Sequence, residues 1–166
     1  RLAARSGIWW QRGRAGVVSR PFLYSGDAMK LLSLFAGIGG FDLAARRCGI
    51  ETKFMAEFSP PSQSVLQRHF PNAELIKDVR HVTTEHQAEI VTAGWPCQGN
   101  AVAGKRAGMA DDRSGLWSEV RRILHAVRPQ WFVGENVPGL LSVKRGRDFG
   151  RILRDLADCG YGFAYR

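Results

Sequence analysis

Three short apolar runs in this chain each end in a chemically loaded turn, and this feature constrains the fold most. Leu31-Leu32-Ser33-Leu34 leads into Phe35-Ala36-Gly37-Ile38-Gly39-Gly40, Glu89–Ala93 into Gly94-Trp95-Pro96-Cys97-Gln98, and Trp131-Phe132-Val133 into Glu135-Asn136-Val137. Apolar runs of this length, bounded by turn residues, read as strands buried on both faces, which is the habit of parallel sheets. Parallel strands need crossover helices between them. In open sheets of that kind, ligands and chemistry collect beyond the carboxyl ends of the strands. A glycine turn, a thiol and a carboxylate therefore belong at one edge of one sheet.

The spacing predicts strand, turn and helix in repetition from Met29 onward. The first strand is expected at Lys30–Phe35, followed by a helix over Phe41–Cys48 closed by Gly49. Thr52–Glu57 reads as the second strand. Ser59-Pro60 reads as a helix start, with a capping hydroxyl before a first-turn proline, and that helix runs to about Phe70. Glu74–Asp78 and Glu89–Ala93 are the next strands, and Gly94 to Arg113 a long loop. Ser114 can cap a helix whose Leu116, Val120, Ile123, Leu124 and Val127 share a face, and Pro129 ends it. Gln130–Gly134 is the fifth strand. A helix lined by Phe149, Ile152, Leu153 and Leu156 closes at Gly160, and Tyr161–Arg166 begins a sixth strand.

At 166 residues the chain is long enough for one domain with a real core, and its apolar content is that of a globular protein. The formal net charge of +9 suits a polyanionic partner such as DNA or RNA, although no dense cationic stripe marks a surface for one. Cys48, Cys97 and Cys159 are odd in number and far apart, which argues against a disulfide framework and a structural zinc site and suits a reducing cytoplasm. No long apolar span suggests a membrane helix. Residues 1–28, with Trp9-Trp10, five arginines and one aspartate in no clear period, are expected to be a poorly ordered extension, either an arm or upstream sequence. Residues 29–166 carry the domain.

The glycine turn lets the backbone change direction sharply and approach a ligand, while the following helix start offers N–H groups to an anion. Tight packing would also explain it. Glu57, 22 positions after Phe35, ends the second strand where an acidic side chain can take ribose hydroxyls; a solvated strand end is the plain alternative. Cys97 follows Pro96 in a glycine-rich loop that can present a thiol to a substrate, although a free cysteine is usually a small buried hydrophobe. Glu135 stands at a strand end as a candidate proton donor or as half of an ion pair.

From Met29 to the end, the sequence resembles the cytosine carbon-5 DNA methyltransferases, which use S-adenosylmethionine. Phe35–Gly40 matches the family's cofactor loop, Pro96-Cys97-Gln98 its nucleophile motif and Glu135-Asn136-Val137 its carboxylate motif, with Asp112–Trp117 in order between the last two. The resemblance implies an α/β, Rossmann-like S-adenosylmethionine-dependent methyltransferase fold with a mostly parallel sheet. It makes Cys97 the nucleophile that adds to carbon-6 of a flipped cytosine and Glu135 the acid acting on ring nitrogen-3, a role that calls for burial of the carboxyl group. It assigns Phe35, Gly37, Ile38, Gly39, Gly40, Glu57, Phe58, Asp78 and Leu116 to the cofactor, with Asp78 accepting from the adenine amino group. Pro96, Gln98, Asn136 and Val137 fall to the substrate, as do Lys105, Arg106 and Arg113 in the loop that closes over double-stranded DNA. No metal is implied.

Two departures from the pattern stand out. Ala101 replaces the hydroxyl residue common four places after the cysteine, and the chain stops before the family's Gln-x-Arg-x-Arg motif, recognition domain and last cofactor motif. The expectation is a C-terminally truncated catalytic portion of a DNA (cytosine-5-)-methyltransferase from a restriction-modification or phage setting. On this reading it is inactive as 166 residues alone and is completed by a missing C-terminal region or a second polypeptide. The alternatives are a tRNA cytosine-5 methyltransferase on the same core and a non-catalytic cofactor- or partner-binding remnant.

Overall fold

A computed structural model describes residues 7–12, 28–96 and 116–165. In chain order these form β1 (Gly7–Arg12), β2 (Lys30–Leu34), α1 (Gly40–Arg47), β3 (Glu51–Ala56), α2 (Pro60–His69), β4 (Glu74–Ile76), β5 (Ile90–Ala93), α3 (Leu116–Val127), β6 (Trp131–Glu135), α4 (Arg147–Asp158) and β7 (Tyr161–Tyr165). Short 3-10 turns lie at Val79–His81, Pro138–Leu141 and Val143–Gly146.

The strands form one seven-stranded sheet in the order β4-β3-β2-β5-β6-β1-β7. The pairings β4·β3, β3·β2, β2·β5 and β5·β6 are parallel, and the two pairings of β1 are antiparallel. The chain runs outward from β2 through β3 to β4, then returns to β5 on the other side of β2. The carboxyl ends of β2 and β5 are therefore the point where the winding reverses, the place such sheets bind ligands.

Alternation along β2 assigns the two faces. Leu32 and Leu34 join Val91, Ala93 and Phe132 in the main core, covered by Trp117, Val120, Ile123, Leu124 and Val127 of α3 and Ile152 and Leu156 of α4. Leu31 points the other way and packs with Met29, Ile90 and Ala45 of α1. Met55, Leu66 and Phe70 seat α2 on β3. Because β2 and β5 are covered on both sides, Leu31, Leu32, Leu34, Ile90, Val91 and Ala93 are all buried. Gly49 (φ 73°) and Gly160 (φ 84°) follow α1 and α4 in the left-handed conformation expected of them.

The structure differs from the sequence reading at two places in the fold. Within residues 1–28, which the sequence marks as a poorly ordered extension, Gly7–Arg12 are a strand lodged between β6 and β7, with Trp9 opposite Val133 on one side and Ala164 on the other. The physical reason is the free edge of β6. Its unpaired backbone groups need partners, and Ile8-Trp9-Trp10 are strong strand formers. Ser59, whose hydroxyl the sequence suggests as the cap of α2, makes no such bond. Instead, Gln63 Nε2 donates to the carbonyls of Glu57 (2.8 Å) and Phe58 (3.3 Å), holding the helix entry from inside its first turn.

Candidate active site

The carboxyl ends of β2, β3, β5 and β6 lie side by side, and each contributes to one site. After β2 the chain turns through Phe35 (φ 53°), Gly37 (φ 58°) and Gly39 (φ 88°). Gly39 N–H donates to the Ala36 carbonyl (2.9 Å), and Ala36 N–H to that of Ala56 on β3 (3.0 Å). Gly39 must be glycine for two reasons. Its φ is left-handed, and an added Cβ would stand 2.7 Å from the Phe70 ring. At Gly37 and Gly40 an added Cβ would meet nothing within 4 Å, so the turn is open above them. The first-turn N–H groups of α1 have no partner within the helix.

Glu57 ends β3 and is fixed by backbone. Its Oε2 accepts from Gly37 N–H (2.7 Å) and its Oε1 from Ser59 N–H (2.8 Å). The carboxylate thus clamps the glycine turn to the entry of α2, and each oxygen keeps a lone pair for a ligand hydroxyl. Beside it Ile38 and Phe58 are 71% and 75% exposed, unusual for apolar side chains amid fixed polar groups. Phe35 is half-buried and packs on the main core, as does Leu116 at the start of α3.

Asp78 caps the 3-10 turn after β4. It accepts from Arg80 N–H (2.9 Å) and from the Arg80 guanidinium, whose Nε lies 3.0 Å from both carboxylate oxygens. The guanidinium holds its pKa down at about 2. Asp78 is therefore already an ion-pair partner as well as an acceptor, a commitment that sequence spacing does not reveal.

The second half of the site joins β5 to β6. Asn136 Nδ2 donates to the Trp95 carbonyl (3.2 Å), and Asn136 Oδ1 accepts from Val137 N–H (2.9 Å). The segment leading to Cys97 is thereby tied to the segment after Glu135. A Cβ on Gly94 would stand 3.4 Å from Glu135 Oε2, so the carboxylate lies against the backbone three residues before Cys97. Trp95 is buried on Trp117, ring centroids 5.0 Å apart, and Pro96 is half-buried. Glu135 itself is exposed, as is Val137. The burial expected for an acidic Glu135 is not present, because the residue is the last of its strand and nothing among the described residues covers it. Cys97, Gln98, Ala101, Lys105, Arg106, Arg113 and Ser114 lie outside the described residues.

The pattern that defines C-5 cytosine-specific DNA methylases matches residues 29–166. The chain belongs to that family. It is 35% identical over 142 residues to the type II methyltransferase M2.BsuMI of Bacillus subtilis, covering 83% of this chain and 36% of the relative. It is 36% identical over 143 residues to M.BanI of Aneurinibacillus aneurinilyticus, covering 82% of this chain and 33% of that protein. The chain thus spans about a third of the length of these relatives. The same fold occurs in an Escherichia coli prophage protein assigned as a DNA modification methyltransferase, with a TM-score of 0.67 at 23% identity, over 79% of this chain and 38% of that one.

Family members take S-adenosylmethionine, and the residues present suit such a ligand. An open glycine turn, a carboxylate held by two backbone N–H groups and two exposed apolar side chains match an amino-acid end, a ribose and an adenine ring respectively. Sequence reasoning misses Gly94 and Trp95 as site residues. A glycine directly before a Trp-Pro-Cys turn is the available signal for close approach of backbone and side chain. Among the described residues no group of three or more His, Cys, Asp or Glu is arranged to hold a metal ion, and no helix is long and apolar enough to cross a membrane.

Proposed function

We propose that the protein bearing this chain methylates carbon-5 of cytosine in DNA, using S-adenosylmethionine and a covalent bond from Cys97. The observation that carries the reading is the Asn136–Trp95 hydrogen bond, which ties the strand end before Cys97 to the strand end bearing Glu135. A thiol and a carboxyl group held by adjacent parallel strands can reach two positions of one planar ring.

In this mechanism the Cys97 thiolate adds to carbon-6, and the electron pair of the carbon-5–carbon-6 double bond shifts toward the ring. Glu135 donates its proton to ring nitrogen-3, so the adduct carries no net negative charge and carbon-5 becomes nucleophilic. The cofactor, when bound, supplies an electrophilic methyl group for carbon-5. Removal of the carbon-5 proton then re-forms the double bond, expels the Cys97 thiolate, and returns the nitrogen-3 proton to Glu135. Glu57, fixed by Gly37 and Ser59, orients the ribose, and Phe58 and Ile38 cover the adenine. Asp78 accepts from the adenine amino group through lone pairs not used by Arg80. Gln98, Asn136 and Val137 line the base, which leaves the duplex at a cost of a few kcal/mol. Lys105, Arg106 and Arg113 meet the phosphates. Closure of DNA over the site supplies the cover that Glu135 lacks in the chain alone.

DNA carrying 5-fluorocytosine at the target has no carbon-5 proton to lose, so the adduct should persist through denaturing electrophoresis. Cys97→Ser should abolish it. Equal trapping by both proteins would sink the covalent assignment.

A further inference from the structure

One buried polar cluster takes no part in the chemistry above. Asp42, in the first turn of α1 directly after the glycine turn, is fully buried. Its Oδ2 accepts from Ser33 Oγ of β2 (3.1 Å), and Ser33 Oγ accepts from Thr92 Oγ1 of β5 (3.3 Å). Thr52 of β3 also acts on the carboxyl group. Yet Asp42 Oδ1 and Thr52 Oγ1 are both buried without a hydrogen-bond partner. An acid and a hydroxyl left unpaired side by side indicate a missing proton between them. A neutral Asp42 gives Oδ1 a hydrogen to donate to Thr52 while Oδ2 continues to accept from Ser33.

The energetics point the same way. An ionised carboxylate at this position would be buried against neutral hydroxyls. Ser33, Thr52 and Thr92 from the three facing strands do not titrate, and the one charged side chain acting on Asp42 is Arg46, one turn along the same helix and exposed. Burial outweighs these favourable partners and raises the Asp42 pKa above its ordinary value of 3.8.

We propose that Asp42 is a positioning residue that is a neutral acid in the folded chain at neutral pH, pinning the start of α1 to β2, β3 and β5 and so fixing the glycine turn. On the cofactor side this rests on the function proposed above; on the stability side it does not. The sign follows from linkage. A folded-state pKa raised above the unfolded value gives stability that is complete below about 4 and is lost as pH rises toward the folded pKa.

The test compares the wild-type chain with Asp42→Asn, which keeps the shape and donor of the neutral acid without the titration. Urea unfolding is followed from about pH 5 to 7. The ratio of wild-type to Asn unfolding constants should rise roughly tenfold per pH unit, the signature of one proton lost on unfolding. A flat ratio overturns the proposal. So does an Asn variant that fails to fold, since a neutral isostere would then be unable to replace the native group. Infrared spectra of the wild type at neutral pH should show a buried protonated-carboxyl stretch that Asp42→Asn removes, and a spectrum without it overturns the proposal equally. In the positioning arm, Asp42→Asn should retain S-adenosylmethionine binding, while Asp42→Leu, which cannot bond Ser33 or Thr52, should lose it. Equal binding by both variants would refute the positioning role. Absence of binding by the wild type would strike the cofactor reading and leave the pH arm standing.

Discussion

Glu57→Ala tests whether the glycine turn is shaped by a side chain or merely by its glycines. In the folded chain the Glu57 carboxylate receives two backbone N–H groups, Gly37 at 2.7 Å and Ser59 at 2.8 Å, in a half-buried setting. Hydrogen bonds to a charged acceptor contribute about 1.5–3 kcal/mol each. Water can reach this edge and replace part of the loss, so the lower figure applies to each, about 3 kcal/mol together. A domain stable by about 5–15 kcal/mol survives that loss and still folds. The effect should divide between two observables. Urea unfolding should show a lower midpoint with an unchanged slope, because the turn loses its clamp while the core remains. Calorimetry should show weaker S-adenosylmethionine binding, because the ribose loses its acceptor and the turn must be re-ordered on binding. If the whole effect fell on binding, affinity would drop on the order of 100-fold, since about 1.4 kcal/mol corresponds to tenfold. A Glu57→Ala chain with the wild-type midpoint and wild-type affinity would refute both the clamp and the ribose assignment. A lowered midpoint with unchanged affinity would keep Glu57 as a structural clamp only.

Two further outcomes follow from the geometry. Gly39→Ala should destabilise the chain by about 2–4 kcal/mol, from left-handed strain and from a Cβ placed 2.7 Å from the Phe70 ring, read as a lowered unfolding midpoint; an unchanged midpoint would mean that the turn relaxes freely. Asp78, with its pKa held at about 2 by Arg80, contributes stability that is present above about pH 4 and lost as pH falls toward 2, so acid unfolding of Asp78→Asn should be less steep than wild type in that window, and identical profiles would dismiss the ion pair.

Local sequence carries most of the site. Apolar runs ending in Gly37-Ile38-Gly39-Gly40, Pro96-Cys97 and Glu135-Asn136 suffice to place the reacting groups at one sheet edge, because strand length, turn residues and helix faces are set by neighbours in the chain. The helix boundaries at Gly49, Pro129 and Gly160 are legible for the same reason: a proline or a left-handed glycine stops a helix whatever surrounds it.

Tertiary structure alone decides the rest, and in each case the cause is a partner that periodicity does not register. Gly7–Arg12 become a strand because β6 and β7, more than a hundred residues later, leave a slot between them that accepts an antiparallel partner. Glu57 becomes a clamp because the turn after β2 brings Gly37 N–H onto it from 20 residues away. Asp78 is drawn into an ion pair with Arg80 by a single short turn. Asp42 reads as an ordinary first-turn acid on a helix, but with Ala45 it faces the sheet, where three strands surround it with hydroxyl groups and exclude water. Sequence determines which local conformations are available. Burial and long-range pairing determine which side chains are left charged, clamped or in reach of one another, because those depend on where water is excluded once the helices have packed onto the sheet.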